Sequence, residues 1–194
     1  MEKTQFLLKR LTAYGPLSAE SQAAITAVLR PKTYPRNSYM IRAGQRPRTV
    51  AFVCSGLFSQ YFTTDNGDVI IKRFFPEGYL CSSIAALISG KPSDFSIKAL
   101  EDSSVLEYDF ETFRSLTRTY PDMAAAYIGY LEQHWVVEKE PLEISLRYET
   151  ARTRYIDFLR QFPSLEPRLR QHEIASYLGV TPTQLSRIRA GLQD

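Results

Sequence analysis

The sequence predicts an α+β fold with an N-terminal β jelly roll, flanking helices, a long helix and a C-terminal helix-turn-helix. Three observations support this prediction. Glycines at 44, 56, 67 and 78 punctuate short β-branched and aromatic runs. An apolar pattern with helical spacing follows at about 122–147. The last quarter holds two short helical patterns separated by a glycine and a Thr-Pro pair.

The first 30 residues have a helical pattern. Phe6, Leu7 and Leu11 share one face of a first helix. Ser18 is a good N-cap for a second helix, and Pro31 follows the end of that helix. We therefore expect two helices before the β segment begins.

Residues 33–109 have the pattern of short strands. The Asp-Asn-Gly tripeptide at 65–67 predicts a tight hairpin, because Asn and Gly tolerate positive φ. Evenly spaced strands with turn glycines are typical of a jelly roll or a small barrel. The expected strands are 49–53, 57–63, 69–75, 95–100 and 104–108.

Composition excludes several classes of protein. Of 194 residues, 44% are apolar and 23% charged, which is ordinary globular usage. No apolar run approaches the roughly 18 residues of a membrane helix, and the N-terminus lacks the apolar core of a signal peptide. We therefore expect a cytoplasmic protein without a membrane partner. Two cysteines and two histidines, all far apart in the sequence, predict neither a disulfide framework nor a metal site.

Asp109 is a suitable N-cap for a short helix, and the stretch of about 122–147 predicts a long one. Its apolar residues form two adjacent seams, so this helix is expected to be buried on two sides. One side would face the β domain and the other a second copy of the chain, although a core helix of a single chain has the same pattern. Pro141 should kink or end this helix. The expected dimerisation residues are Ile128, Leu131, Trp135 and Leu142.

The last quarter is basic. Residues 147–194 contain eight arginines and five acidic residues, whereas residues 1–146 have no net charge. Arginine presents a planar fork suited to phosphates and base edges, although a solvated helical surface has the same composition. We place a domain boundary here, giving an N-terminal domain at 1–147 and a basic helical domain at 148–194.

Residues 171–189 predict a helix-turn-helix. Gly179 falls where a helix ends in the left-handed conformation, and Thr181 with Gln184 three residues later forms a capping box. Leu185 and Ile188 face inward on the second helix, which leaves polar residues outside. A plain helical hairpin could mimic the spacing, but it would not normally expose Thr, Gln, Ser and Arg together.

The motif Ile-Ala-Ser-Tyr-Leu-Gly-Val-Thr-Pro at 174–182, with Leu-Ser-Arg-Ile-Arg at 185–189, resembles the Crp/Fnr transcription regulators, in particular short Bacteroidetes-type members. The resemblance covers nearly the whole chain. It implies a cyclic-nucleotide-binding-like jelly roll, a dimerisation helix and a DNA-binding domain. It further implies a homodimer on a roughly palindromic double-stranded operator, with RNA polymerase as a possible further partner.

The resemblance departs from family members that bind cyclic AMP. Their cassette carries a glutamate for the ribose and an arginine for the phosphate. Here the glutamate position is assigned to Tyr79 and the arginine position to Ser93 or Asp94. Loss of the charge-assisted arginine contact predicts that cyclic AMP does not bind in the usual way, so no cofactor is expected. The effector-pocket candidates are Gly78, Tyr79, Leu80, Cys81, Ser82, Ser93 and Lys98.

Other sensing chemistries fit less well. Two separated cysteines do not suit an iron–sulfur cluster. His134 is expected to be a core or interface residue rather than a haem ligand, and Cys81 a buried apolar residue rather than a redox switch. Lys98 could replace the missing cation, but a solvated lysine is the simpler expectation.

Five residues after Arg189 leave no room for the β-hairpin wing of longer members, so DNA-backbone contacts should come from elsewhere. The candidates are Gln171 and Thr181 at helix N-termini, where amides can meet phosphate, and the nearby arginines Arg168, Arg170 and Arg189. We expect Arg187 to read a base, because a bidentate arginine–guanine contact is the commonest specific one. The candidate DNA-binding residues are Gln171, Thr181, Thr183, Gln184, Ser186, Arg187 and Arg189.

Two alternative functions make different demands on the sequence. In the first, a sensing module binds a protein partner through its helical tail; salt dependence separates this from DNA binding. In the second, a jelly-roll enzyme gathers histidines around a metal, but residues 33–109 contain no histidine. No nucleophile elbow, P-loop or HExxH motif occurs, so we expect no enzyme.

Overall fold

A computed structural model describes residues 2–192, apart from the side chains of residues 142, 143 and 146. Two helices open the chain, α1 (Glu2–Thr12) and α2 (Ala19–Val28). The Ser18 hydroxyl accepts the Ser21 amide at 3.2 Å, which confirms the predicted N-cap.

Eight strands form two antiparallel sheets of four, in the orders β1-β8-β3-β6 and β2-β7-β4-β5. The predicted α+β fold with a β jelly roll is confirmed. The strands are β1 (Arg30–Tyr34), β2 (Tyr39–Ile41), β3 (Thr49–Ser55), β4 (Phe58–Thr63), β5 (Val69–Phe75), β6 (Leu80–Cys81), β7 (Ser96–Ala99) and β8 (Ser103–Asp109).

The predicted hairpin joins β4 and β5. Gly67 has φ +87°, and its amide donates to the Thr64 carbonyl at 2.9 Å. Four short elements were not predicted: β1, β2, β6 and the helix α3 (Ile84–Ser89). Each has six residues or fewer, too few to show a period.

Aromatic and aliphatic side chains fill the space between the two sheets. Phe58, Ile97 and Val105 are fully buried, and Phe75 and Tyr34 are nearly so. Tyr34 donates a hydrogen bond to Glu107, whose carboxylate also accepts from Lys32 at 3.2 Å. The interior of the roll is therefore packed mainly with the protein's own side chains.

The predicted long helix consists of three parts. α4 (Phe110–Thr119), capped by Asp109, leads into α5 (Pro121–Leu131), a π-helical segment (Glu132–Val137) and α6 (Lys139–Tyr148). The sequence predicts a disturbance at Pro141, but the wide turn lies just before it. A helical proline collides with the carbonyl four residues back, here that of Val137, so the irregularity falls on the preceding turn.

Three further helices form the C-terminal part: α7 (Ala151–Gln161), α8 (Gln171–Leu178) and α9 (Pro182–Ala190), with a 3₁₀ turn at Glu166–Arg168. α7 begins at Ala151 because Thr150 serves as its N-cap. Within the described part of the chain, no helix is long and apolar enough to cross a membrane.

The C-terminal helices pack directly against the roll. Phe74 of β5 is fully buried between Phe158 and Tyr177, with ring centroids 6.4 and 5.2 Å away. The Ser176 hydroxyl of α8 accepts the Ile71 amide at 2.9 Å, and so satisfies a backbone group at the edge of β5. This packing sets the position of the helix-turn-helix relative to the sheets.

Candidate nucleic-acid interface

α8 and α9 form a helix-turn-helix around a small apolar core. Ile174 and Leu185 are fully buried, and Gly179 between them has φ +68°. The Val180 amide donates to the Ala175 carbonyl at 3.0 Å, which closes the turn. The helix-turn-helix predicted from the sequence is therefore confirmed.

A reciprocal capping box starts α9. The Thr181 hydroxyl accepts the Gln184 amide at 3.2 Å, while the Gln184 side-chain oxygen accepts the Thr181 amide at 2.9 Å. Pro182 occupies the first helical position, where no N–H is needed. Gln184 thus fixes the start of the helix through its side-chain oxygen. The capping box does not use its side-chain NH₂ group, which can still donate hydrogen bonds.

The exposed face of α9 carries Thr183, Ser186 and Arg187. Their positions, on the side opposite the buried Leu185, agree with the outward face that the sequence predicts. Gln171 is exposed too, and its side-chain amide donates to the Pro182 carbonyl at 2.6 Å, which ties the starts of α8 and α9 together.

Arg189 requires a correction. Its Nε donates to the Tyr155 hydroxyl at 3.0 Å, and its Nη2 lies 3.1 Å from the Glu166 carboxylate. Tyr155 also donates a hydrogen bond to Glu166. The Arg189 guanidinium therefore braces α9 against α7, because it lies on the helix side that faces α7 rather than beside Arg187.

Arg168, a predicted phosphate contact, is also used internally. Its guanidinium donates to Glu77 at 2.9 and 3.0 Å and to Glu101 at 2.7 and 2.9 Å. Burial alone would raise the pKa of Glu77, but hydrogen bonds from Arg168 and from backbone amides hold it below its usual value. We call these three residues the Arg168 clamp; it joins the 3₁₀ turn to the roll.

The effector-pocket candidates do not converge on one open pocket. Leu80, Cys81, Ser82 and Ser93 are buried, and the Ser82 hydroxyl donates to the Thr49 carbonyl at 2.8 Å. Burial raises the pKa of the Cys81 thiol well above its usual value, in keeping with a buried apolar role. Gly78 has φ +84° and faces Phe6 and Arg10 of α1.

The structure pairs Ser93 with Ser83 rather than with Tyr79. Ser83 precedes the first turn of α3, and its hydroxyl lies 2.9 Å from that of Ser93. The sequence assigned the ribose-binding glutamate position to Tyr79, but Tyr79 turns away, toward the π segment. The short helix α3, which the sequence pattern did not reveal, begins directly after Ser83.

Tyr79 lines a cleft between the roll and the π segment. Its ring centroid lies 5.6 Å from that of His134, and the Arg73 guanidinium lies 5.7 Å from the Tyr79 ring and 5.8 Å from the Trp135 ring. Trp135, a predicted dimerisation residue, therefore faces this cleft, because the π segment turns it away from the exposed side of the helix.

His134 is buried at the centre of a hydrogen-bond chain. Its Nε2 lies 2.6 Å from the Tyr14 hydroxyl and its Nδ1 2.8 Å from the Glu138 carboxylate, which lies 3.7 Å from Arg73. Burial lowers the pKa of His134, against the opposing effect of Glu138. The neutral ring then donates from Nδ1 and accepts from Tyr14. The i, i+4 spacing of His134 and Glu138 was the available sequence signal for this chain.

Other predicted dimerisation residues have different surroundings. Ile128 is 54% exposed, whereas Leu131 is half-buried, and the side chain of Leu142 lies outside the described part of the structure. The sequence did not identify Val136 as an interface residue, yet it is 57% exposed. The π-helical turn adds about one residue to the turn, so the residues that face outward after it lie about one position later than the sequence predicts.

Lys98 does not point into the roll. Its neighbours Ile97 and Ala99 are fully buried in the interior, so strand alternation directs Lys98 to the outer face of its sheet. This placement corrects its assignment as an effector-pocket candidate. Among the described residues, no group of three or more histidine, cysteine or acidic side chains is arranged to hold a metal ion.

Comparisons with known proteins agree with this architecture. Residues 31–120 match the family model for the cyclic nucleotide-binding domain. The chain is 26% identical over 175 residues to the fumarate and nitrate reduction regulatory protein of Escherichia coli strain K12, covering 84% of this chain and 69% of that protein.

Two solved structures share the fold. The c-di-GMP responsive global regulator CLP of Xanthomonas campestris has a TM-score of 0.71 and 17% identity, covering 91% of this chain and 92% of that one. The catabolite activator protein of Thermus thermophilus has a TM-score of 0.58 and 23% identity, covering 95% and 86%.

The roll, the long helix and the helix-turn-helix define a DNA-binding transcription regulator. The domain match and the relatives describe it more closely: they support a regulator of the Crp/Fnr type.

Proposed function

We propose that the protein is a homodimer that recognises a roughly palindromic operator, with one α9 in the major groove of each half-site. Residues 1–147 would form the effector domain with its dimerisation helix, and residues 148–194 the DNA-binding domain. The exposed polar face of α9 carries this proposal. Thr183, Ser186 and Arg187 project from a helix whose start is fixed by the capping box.

Direct base readout is assigned to Arg187, with Thr183 and Ser186 as neighbouring contacts. The guanidinium can donate two parallel hydrogen bonds to O6 and N7 of guanine. Gln171 and Thr181 lie at the exposed starts of α8 and α9, where backbone amides can meet phosphates. Arg189 is not retained as a proposed DNA contact because Tyr155 and Glu166 bind it.

Dimerisation is assigned to the outward seam of the long helix. Apolar side chains there are more than half exposed, whereas a monomer rarely leaves such a row in water. If a second copy packed along the same face, each chain would cover the exposed apolar row of the other. The seam consists of Ile128, Val136, Val137, Ile144 and Tyr148.

We further propose that the effector domain works without cyclic AMP. The Ser83 and Ser93 hydroxyls contact each other, and neither can supply the charge that a ribose-binding carboxylate or a phosphate-binding guanidinium provides. Action in the cytoplasm and contact with RNA polymerase remain predictions that follow from the family.

The test is enrichment of bound DNA from a random pool, with wild-type protein and the Arg187→Ala variant in parallel. We expect a palindromic motif for the wild type. Loss of the bidentate contact should cost about 1–3 kcal/mol at one base position of each half-site and relax the motif there. Adding cyclic AMP should leave the enrichment unchanged.

Arg160→Ala is the matched control. Arg160 is 76% exposed on α7 and pairs with Asp157 three residues away, so its loss removes the same charge without touching α9. The control should return the wild-type motif. A wild-type protein that enriches no motif, and does not bind duplex DNA at low salt, contradicts the proposed function.

A further inference from the structure

A groove runs between the helix-turn-helix and the outer face of the sheet β2-β7-β4-β5. His172, Thr181 and Pro182, from the starts of α8 and α9, form one side. Ser59, Tyr61 and Lys98 lie on the sheet side. The groove therefore opens where the helix N-termini, which carry part of the proposed DNA contact, meet the β domain.

The sheet side of this groove continues into a basic, aromatic surface. The Lys98 ammonium lies 5.9 Å from the ring centroid of Tyr39, and the Arg42 guanidinium lies 3.7 Å from the same centroid. The Tyr39 and Tyr61 hydroxyls are 3.1 Å apart. Two cations thus contact the same tyrosine ring, and one of them, Lys98, also lines the groove.

Two acidic residues, Asp68 and Glu173, also line the groove. The Glu173 carboxylate accepts the Arg170 backbone amide at 2.7 Å at the start of α8. Asp68 lies in the turn between β4 and β5. Neither makes a described ion pair with Lys98 or Arg42. On the sheet side, Lys98 is therefore a cation of the groove lining without a described ion pair, with Asp68 at the hairpin end of the same lining.

We propose that the outer face of this sheet is a second DNA-backbone contact, in which Lys98 and Arg42 bind phosphates flanking the bases that α9 reads. The inference rests on the proposed function. A strand whose phosphates meet the amide ends of α8 and α9 must pass the mouth of the groove. The long Lys98 side chain, half-buried in the groove lining, can reach a phosphate there.

The sequence carried a signal for this surface. Between residues 21 and 64 there are six cationic residues and no acidic one. This local excess disappears in the net charge of residues 1–146, and Arg42 is one of the six. The other five lie in β1 and in the loops before β2 and β3, so the linear pattern alone does not locate the contact.

The experiment measures affinity for the enriched operator, and for an unrelated duplex, as a function of salt concentration. Lys98→Gln and Arg42→Gln are compared with Lys9→Gln, which removes an exposed lysine from α1. Each groove variant should lower the slope of log affinity against log salt by about one and weaken both DNAs several-fold. The Lys9 variant should match the wild type.

A chemical change in the DNA locates the contact. Neutral methylphosphonate linkages are placed one at a time in the flanks of the operator. One position should weaken the wild type several-fold yet leave Lys98→Gln binding unchanged, because that variant has already lost the partner. Thermal unfolding midpoints equal to that of the wild type confirm that the variants are folded.

The two proposals fail separately. If the wild type binds no DNA, the proposed function is wrong and this inference falls with it. A different result overturns only the second contact. In that case the wild type binds DNA and Arg187→Ala relaxes the motif, but Lys98→Gln and Arg42→Gln retain the wild-type salt slope.

Discussion

Two arginines on α9 illustrate how much depends on a single residue position. Arg187 is on the exposed face, and Arg189, two positions later, lies about 200° around the helix. Arg189 meets Tyr155 and Glu166 of the α7 region, so its guanidinium is committed to packing. The sequence predicted a DNA contact for both, with base readout by Arg187 and a backbone contact by Arg189, whereas their surroundings separate them.

We predict that Arg189→Ala lowers the free energy of unfolding by on the order of 1 kcal/mol, because Tyr155 and Glu166 lose a partially buried partner. Arg187→Ala should leave stability unchanged and weaken operator binding. Urea denaturation and a binding titration distinguish these effects. An Arg189→Ala variant of unchanged stability but weakened operator binding would restore Arg189 to the DNA contacts.

At the scale of elements, two polar contacts fasten the C-terminal helices to the roll. Ser176 satisfies edge groups of β5, accepting from Ile71 and donating to the Val69 carbonyl at 2.6 Å. The Arg168 clamp holds the 3₁₀ turn to Glu77 and Glu101. Because the clamp depends on ionised carboxylates, its contribution to stability must depend on pH.

The clamp should weaken in acid. The pKa of folded Glu77 is below its ordinary value of 4.5, so its stabilisation is complete above 4.5 and is lost as the pH falls through the lowered value. Glu77→Gln should therefore be less stable than the wild type at neutral pH, with the difference shrinking below pH 4.5. Urea midpoints across this range measure it.

Glu111→Gln provides the control for this pH effect. Glu111 forms an exposed pair with Arg114 on α4, a contact of little energetic weight. Its substitution should leave the midpoints unchanged across the same range. If Glu77→Gln keeps a constant difference from the wild type at every pH, ionisation of Glu77 is not what stabilises the interface.

At the scale of the whole molecule, the roll and the C-terminal helices share one hydrophobic cluster. Leu57, Ile71 and Phe74 of the roll pack with residues of α7, α8 and α9. On the other side of the long helix, the outward seam remains exposed. A second copy is the partner that would bury it, and this would place two α9 helices on one DNA.

Val137→Glu should break the dimer. Val137 is 58% exposed in the seam, and a dimer would bury the introduced charge twice, once from each chain. We expect a monomer by sedimentation and a loss of about 10- to 100-fold in operator affinity, since each half-site is then bound independently. Ile88→Glu, at a site 60% exposed on α3, should remain dimeric. A dimeric Val137→Glu would refute this assignment of the interface.

The sequence alone determined the features whose physical causes are local. A capping box, a left-handed glycine and an Asn-Gly turn act within a few residues, so the helix-turn-helix and the β4–β5 hairpin were predictable. The turn glycines and strand runs likewise predicted the jelly roll. Short elements such as α3 escaped because they contain too few residues to show a period.

Tertiary structure decided the features that depend on contacts between distant segments. The outward direction of Lys98, the use of Arg189 by α7, and the pairing of Ser83 with Ser93 all arise from neighbours far away in sequence. The π segment that rotates Trp135 into the cleft belongs with them. The role of a side chain depends on which distant residues contact it in the folded chain. The local sequence pattern carries little information about those contacts.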